Sequence, residues 1–149
     1  MDLEALVTDE LRDELASYTL ESFSVTAGSD RPPHATVAVL LPDGRTAEAE
    51  FSGDGPIDSV FQAINVATGL DARLREFRVD AVTGGQDALG ETSVVLECEG
   101  QSASGQGVAT DIIEAAGRAY MRALSNAMRK AQAAGEAIDL AANEPLATP

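Results

Sequence analysis

The sequence predicts an α+β fold of two tandem βββα units with approximate two-fold symmetry, preceded by a linker helix, and three observations carry that prediction. Residues 18–70 contain three stretches of period-two apolar alternation followed by one of helical period. The pattern then recurs at an offset of 56 residues without a gap, taking Gly28 to Gly84, Val39 to Val95, Gly44 to Gly100, Ala47 to Ala103, Ile57 to Ile113 and Ala63 to Ala119. Third, a strand passes into a helix through a glycine-proline elbow, GDGPIDSVFQAI at 53–64. A three-stranded meander with one helix over one face buries its apolar side, and a symmetric pair of such units is a natural platform for a homodimer.

In chain order, residues 2–17 read as an amphipathic linker or docking helix, with Leu3, Leu6, Val7, Leu11 and Leu15 spaced among acids. Unit one, 18–70, opens with a strand at about 18–26 and a turn-rich break at 27–33. Ala35, Val37, Val39 and Leu41 alternate as a second strand, Pro42-Asp43-Gly44 turns the chain, and 45–51 form a third strand entering the elbow. The helix then runs over 56–68 and stops at Gly69. In unit two, 74–134, Phe23 and Val25 map onto Val79 and Ala81, the next strands onto 91–97 and 101–107, and the helix onto 111–134. Its stripe of Ile113, Ala116, Tyr120, Leu124 and Ala127, together with its length, predicts packing on more than its own strands. After Gly135 the periodicity fades, so 135–149 is expected to be a flexible tail.

Composition narrows the function classes. The net charge of −15 repels nucleic-acid phosphate and anionic membranes. The basic residues are nine arginines and Lys130, and acid excess with so little lysine suits a salt-rich cytoplasm, which predicts a halophilic source. No apolar run approaches the roughly 20 residues of a membrane span, and the acidic opening is unlike a secretory signal, so a soluble cytoplasmic protein is expected. Cys98 stands alone and reads as a packed strand thiol; His34 follows two prolines in a loop-like segment, has no Cys/His cluster around it and reads as a surface histidine rather than a metal ligand. No nucleophile or metal constellation points to catalysis by this chain.

The chemistry of interest lies at the elbow. Gly53 and Gly55 flank Asp54 and permit tight or left-handed backbone, Pro56 presets the first helical residue, and Ile57, Val60, Phe61 and Ile64 mark one face. Backbone N–H groups at such a start carry partial positive charge and suit a small anion such as a carboxylate; the same residues equally make a well-capped helix start.

The three motifs GDGPIDSVFQAI, VDAVTGGQDALGE and GQGVATDIIEAAGRAYMRALSNAM, in this order, resemble the C-terminal regulatory domain of 2-isopropylmalate synthases and their citramalate synthase relatives. The resemblance covers about residues 18–128. The family commonly has valine and alanine where this chain has Ile57 and Ser59, and serine-threonine-aspartate where it has Ala109-Thr110-Asp111. The resemblance implies a homodimerising domain that binds leucine, or isoleucine in some citramalate synthases, and so inhibits a catalytic barrel elsewhere in the polypeptide. It places any divalent metal in that barrel and implies no cofactor and no catalytic residue in this chain. The opening MDLEALVTDEL resembles the end of the linker before the domain, so a piece of a longer synthase is expected, a free-standing sensor being the other option.

A free amino acid needs donors for its carboxylate, an acceptor for its ammonium and an apolar pocket. The elbow residues Gly53, Asp54, Gly55, Pro56, Ile57 and Asp58 are the candidates for the carboxylate end, with Asp54 and Asp58 competing for the same positive potential. Asp80 and Asp87 are candidates for the ammonium, and equally for plain turn or surface carboxylates. Ile57 and Leu89 are candidates for the apolar pocket or the core. Gly107, Thr110 and Asp111 form the equivalent second elbow, where Thr110 or Asp111 as N-cap would satisfy the helix's own donors; that elbow is expected to be structural or to contribute across a dimer. A dimerisation scaffold without effector binding is the alternative reading.

Overall fold

The computed structural model describes residues 17–82 and 89–143, with side chains placed over 17–80 and 89–135. The elements are β1 (Thr19–Gly28), β2 (Arg31–Leu40), β3 (Thr46–Phe51), α1 (Pro56–Thr68), β4 (Arg73–Val82), β5 (Gly90–Cys98), β6 (Gln101–Ala109) and α2 (Ile112–Asn143). They form two three-stranded antiparallel sheets in the orders β1-β2-β3 and β4-β5-β6, each followed by its helix. Two tandem βββα units are therefore present. The expected linker helix over 2–17 lies outside the described residues except for Ser17.

Alternation decides which face each helix covers. Along β2, Ala35, Val37 and Val39 are buried; along β5, Thr92, Val94, Leu96 and Cys98 are. Helix α1 contributes Val60, Phe61, Ala63 and Ile64, and α2 contributes Ala116, Ala119, Tyr120, Ala123, Leu124 and Ala127, to one continuous core shared by both units. As its length predicts, α2 lies on β5 and β6 and also reaches β1 and α1. Small residues let it approach closely. A Cβ on Gly107 would overlap the carbonyl oxygen of Ala115 and lie 2.7 Å from the Ala119 nitrogen, so the helix backbone rests directly on β6.

The units are joined by an aromatic and amide seam. Phe61 stacks on Tyr120 with centroids 4.3 Å apart, and meets Phe77 edge-on at 6.1 Å. The Tyr120 hydroxyl donates to Asn65 Oδ1 at 2.7 Å, while Asn65 Nδ2 donates to the carbonyl of Ala72 at 2.9 Å. A single amide thus ties α1, α2 and the connection between units.

The structure corrects four expectations. The repeat is not gapless. Matching bulges at Leu20/Ser22 in β1 and Leu74/Glu76 in β4 align Phe23 with Phe77 and Val25 with Val79, a shift of 54 rather than 56. Buried Val37 and Val39 align with buried Val94 and Leu96, a shift of 57, whereas Val95 faces the other side. From the left-handed turn glycines Gly44 and Gly100 onward 56 holds, with Ala47 opposite Val39 and Ala103 opposite Leu96. The physical cause of the step from 57 to 56 is the turn: five residues, 41–45, separate the paired Leu40 and Thr46, but four, 98–101, separate the equivalent pair Glu97 and Ser102, with Glu99 and Gly100 both at positive φ.

Second, α2 continues past Gly135 to Asn143, because one glycine costs a helix only about 1 kcal/mol and the following EAIDLAAN is rich in good helix formers. The span from 144 onward lies outside the described residues. Third, His34 sits within β2, not in a loop; its Nδ1 lies 2.8 Å from Ser52 Oγ and its Nε2 3.3 Å from Glu50 Oε2 across the β2–β3 pair. Fourth, neither Gly53 nor Gly55 is left-handed; among the described residues the glycines at positive φ are Gly44, Gly69 and Gly100. Among the described residues no helix is long and apolar enough to cross a membrane.

Candidate functional site

Strand β3 delivers the chain to the elbow, and the first turn of α1 folds back to hold it. Asp58 Oδ2 accepts the Asp54 N–H at 2.9 Å, and Ser59 Oγ accepts the Gly53 N–H at 2.8 Å while donating to the Gly55 carbonyl at 2.7 Å. Ser59 is fully buried, so its two bonds are partly shielded from water, while the Asp54–Asp58 bond is exposed. Gly53 is a glycine because a Cβ there would overlap the Asp58 carboxylate and come within 3.1 Å of the Ser59 nitrogen. Two of the donors expected to face a ligand, those of Gly53 and Asp54, are thus occupied by the helix's own side chains.

The remaining donors are different. Gly55 occupies the N-cap position with extended backbone, φ −155° and ψ 174°, and provides no side-chain cap. Pro56 has no N–H. The N–H groups of Ile57 and Asp58 meet no acceptor among the described residues, in a half-buried setting where Ile57 packs against the core. A helix start whose second and third donors are open, beside an apolar side chain, can accept a carboxylate. A Cβ built on Gly55 meets nothing within 4 Å, so a side chain has room at that position.

The second elbow carries a side-chain cap. Asp111 Oδ1 accepts the Ile113 N–H at 2.9 Å, and its carbonyl accepts from Ala115 N at 2.9 Å. Thr110 is exposed beside it, and Gly107 is taken up by the close helix contact described above. The two elbows occupy equivalent places; a side chain caps the start of α2, and none caps the start of α1.

Asp80 accepts a hydrogen bond from Ser93 and lies 3.7 Å from Arg78 Nε, so its charge is engaged within the second sheet. Leu89 is exposed and precedes Gly90, which pairs with Ala109 and abuts Ile112. Asp80 and Leu89 therefore share an end of unit two with Thr110 and Asp111. The hydrogen bond and ion pair of Asp80 are made within unit two and not with 53–58. Asp87, with Gly84 and Gly85, lies outside the described residues.

Sequence reasoning missed Ser59 and Asn65. For Ser59 a signal existed: a hydroxyl on the buried face of a helix's first turn, four residues after a glycine, commonly bonds back to the i−4 carbonyl. For Asn65 none did, since both its partners, Tyr120 and Ala72, are set by tertiary packing.

A family model described as the LeuA allosteric (dimerisation) domain matches residues 1–128. Among curated relatives, a 2-isopropylmalate synthase of Carboxydothermus hydrogenoformans is 42% identical over 136 residues, covering 91% of this chain and 26% of the relative. One of Acidimicrobium ferrooxidans is 46% identical over 129 residues, covering 86% and 25%. One of Pyrococcus furiosus is 43% identical over 129 residues, covering 87% and 26%. The chain spans about a quarter of the length of these relatives.

Proposed function

Since the chain belongs to the family of LeuA allosteric (dimerisation) domains, we propose that it is the feedback-regulatory domain of a 2-isopropylmalate synthase. In this reading it forms a homodimer and binds leucine. Binding inhibits the acetyl-CoA-dependent condensation on a catalytic barrel in another part of the polypeptide, and this chain alone turns over no substrate. The observation that carries the reading is the contrast between the two helix starts: Asp111 caps α2 with its side chain, whereas α1 has no side-chain cap and its Ile57 and Asp58 N–H groups meet no acceptor among the described residues.

The effector's carboxylate sits on those donors, and its side chain lies along Ile57. Asp54, exposed and outside any ion pair among the described residues, receives the ammonium, since the Asp58 carboxylate already accepts the Asp54 N–H. Asp80 is a weaker candidate than the sequence suggested, because Ser93 and Arg78 already engage it. Leucine is favoured over isoleucine because the relatives are named 2-isopropylmalate synthases.

Inhibition follows from linkage: leucine binds the inhibited arrangement better than the active one, with a coupling of about 1–3 kcal/mol. Calorimetric titration of the purified chain with leucine and with isoleucine, at low and at molar salt, tests the proposal. Saturable leucine binding, with isoleucine weaker, is expected. A scaffold without an effector site has its own support in the self-occupied Gly53 and Asp54 donors, and no heat from a folded dimer with either amino acid would establish it instead.

A further inference from the structure

An open groove of about 830 Å³ runs between the start of β1 and the outer side of α2. Leu20 and Met121 form its floor, and half-exposed Val108 of β6 forms part of one wall. Arg118, Arg122 and Arg129 line it from the helix. Three of the ten basic residues of a chain with net charge −15 therefore face one apolar-floored groove. Arg118 is steered by Glu114 at 3.6 Å, while Arg122 forms no ion pair with any described residue. Such concentration of cations is not what screening a uniformly acidic surface requires; it selects an acidic partner.

The chain enters the described structure at this groove. Ser17 and Tyr18 line it, and the backbone of Tyr18 is fastened to α2 by its N–H donating to Ser125 Oγ at 2.9 Å. Immediately before lie residues 2–16, which hold six acids, Asp2, Glu4, Asp9, Glu10, Asp13 and Glu14, against one base, Arg12. They also carry the apolar series Leu3, Leu6, Val7, Leu11 and Leu15 at helical spacing. An apolar stripe flanked by acids complements an apolar floor flanked by arginines. The lengths agree: Arg118 to Arg129 spans about 16 Å of helix, and 15 residues at helical rise span about 22 Å.

We propose that residues 2–16 of this chain dock in the groove between β1 and α2, with their acids on Arg118 and Arg122. This inference is independent of leucine binding and concerns a different face from the α1 elbow. It makes the segment preceding the domain a bound element whose position reports on α2.

Hydrogen exchange of the intact chain, read by mass spectrometry, tests it. Amides of 3–15 are expected to exchange about tenfold or more slowly than an unstructured peptide, with the protection falling about tenfold in the double variant R118E/R122E. Both side chains are solvent-exposed, and Arg122→Gln supplies a milder second variant with a smaller loss in the same direction should the double variant misfold. Arg45→Glu, an arginine on the β2–β3 turn, is expected to leave the protection unchanged. Intrinsic exchange over 3–15 in the parent, or equal protection in R118E/R122E and Arg122→Gln, overturns the proposal. So does protection of the groove that disappears on dilution to monomer while 3–15 exchange freely, since a second copy would then be the occupant.

Discussion

Gly55→Ser separates an open helix cap from a ligand site. The φ of −155° and ψ of 174° are ordinary for an N-cap serine, and the added Cβ meets nothing within 4 Å. Its hydroxyl accepts one of the free N–H groups of Ile57 and Asp58, and because serine exceeds glycine as an N-cap by only a few tenths of a kcal/mol, the domain gains little stability. For a chain of this size that is about 1 °C in Tm. The same hydroxyl occupies a donor assigned to the leucine carboxylate. A hydrogen bond to a charged group is worth about 1.5–3 kcal/mol, so leucine affinity should fall about tenfold or more. Gly55→Ala adds the same carbon without the acceptor; it should lower stability by up to about 1 kcal/mol and leave affinity nearly intact. The assay pairs calorimetric titration with thermal unfolding for both variants. Leucine binding as tight in Gly55→Ser as in the parent, or an equal loss in Gly55→Ala, would refute the assignment of the carboxylate to these donors.

Three further outcomes follow from the packing. Gly107→Ala should destabilise by at least about 3 kcal/mol, roughly 10 °C in Tm, because the new Cβ meets helix backbone rather than a flexible side chain; a loss under 1 kcal/mol by denaturant titration would contradict the close β6–α2 contact. Thr92 is fully buried with its hydroxyl unpartnered among the described residues, so Thr92→Val should stabilise by about 1 kcal/mol, read as a Tm about 3 °C higher. Burial pushes up the Cys98 thiol and the Tyr18 and Tyr120 phenols from their ordinary 9.0 and 10.0. The unfolded chain therefore loses these protons first, so stability is whole below about pH 9 and is lost as pH rises beyond it. Tyr120→Phe should flatten that alkaline limb while costing about 1–3 kcal/mol at neutral pH, where Asn65 Oδ1 loses its donor; an unchanged limb in pH-dependent urea unfolding would count against the burial.

Much of the fold was legible because its signals are local. Strand alternation at Ala35, Val37 and Val39, the glycine after each central turn, and Pro56 at a helix start are each fixed by backbone sterics or by one buried face. What the sequence concealed was register. The Phe23 to Phe77 correspondence is hidden because the hairpin turns differ in length, and an ungapped offset puts Val39 over Val95, on the opposite face of the strand. The elbow was found, but not its state: that Asp58 and Ser59 occupy the first donors, and leave Ile57 and Asp58 open, depends on side-chain rotamers. Asp80 looked available because Ser93, thirteen residues away, becomes its neighbour only when β4 pairs with β5. The arginine-lined groove joins residues about a hundred positions apart and has no sequence signature.

Amide chemical shifts during a leucine titration of the isotopically labelled chain test the central claim most directly. If the effector's carboxylate rests on the open start of α1, the Ile57 and Asp58 amide resonances should move saturably and downfield, with Ile113 at the capped start of α2 unmoved. Shifts confined to Thr110–Ile113, or none at Ile57 and Asp58 while calorimetry records binding, would contradict it.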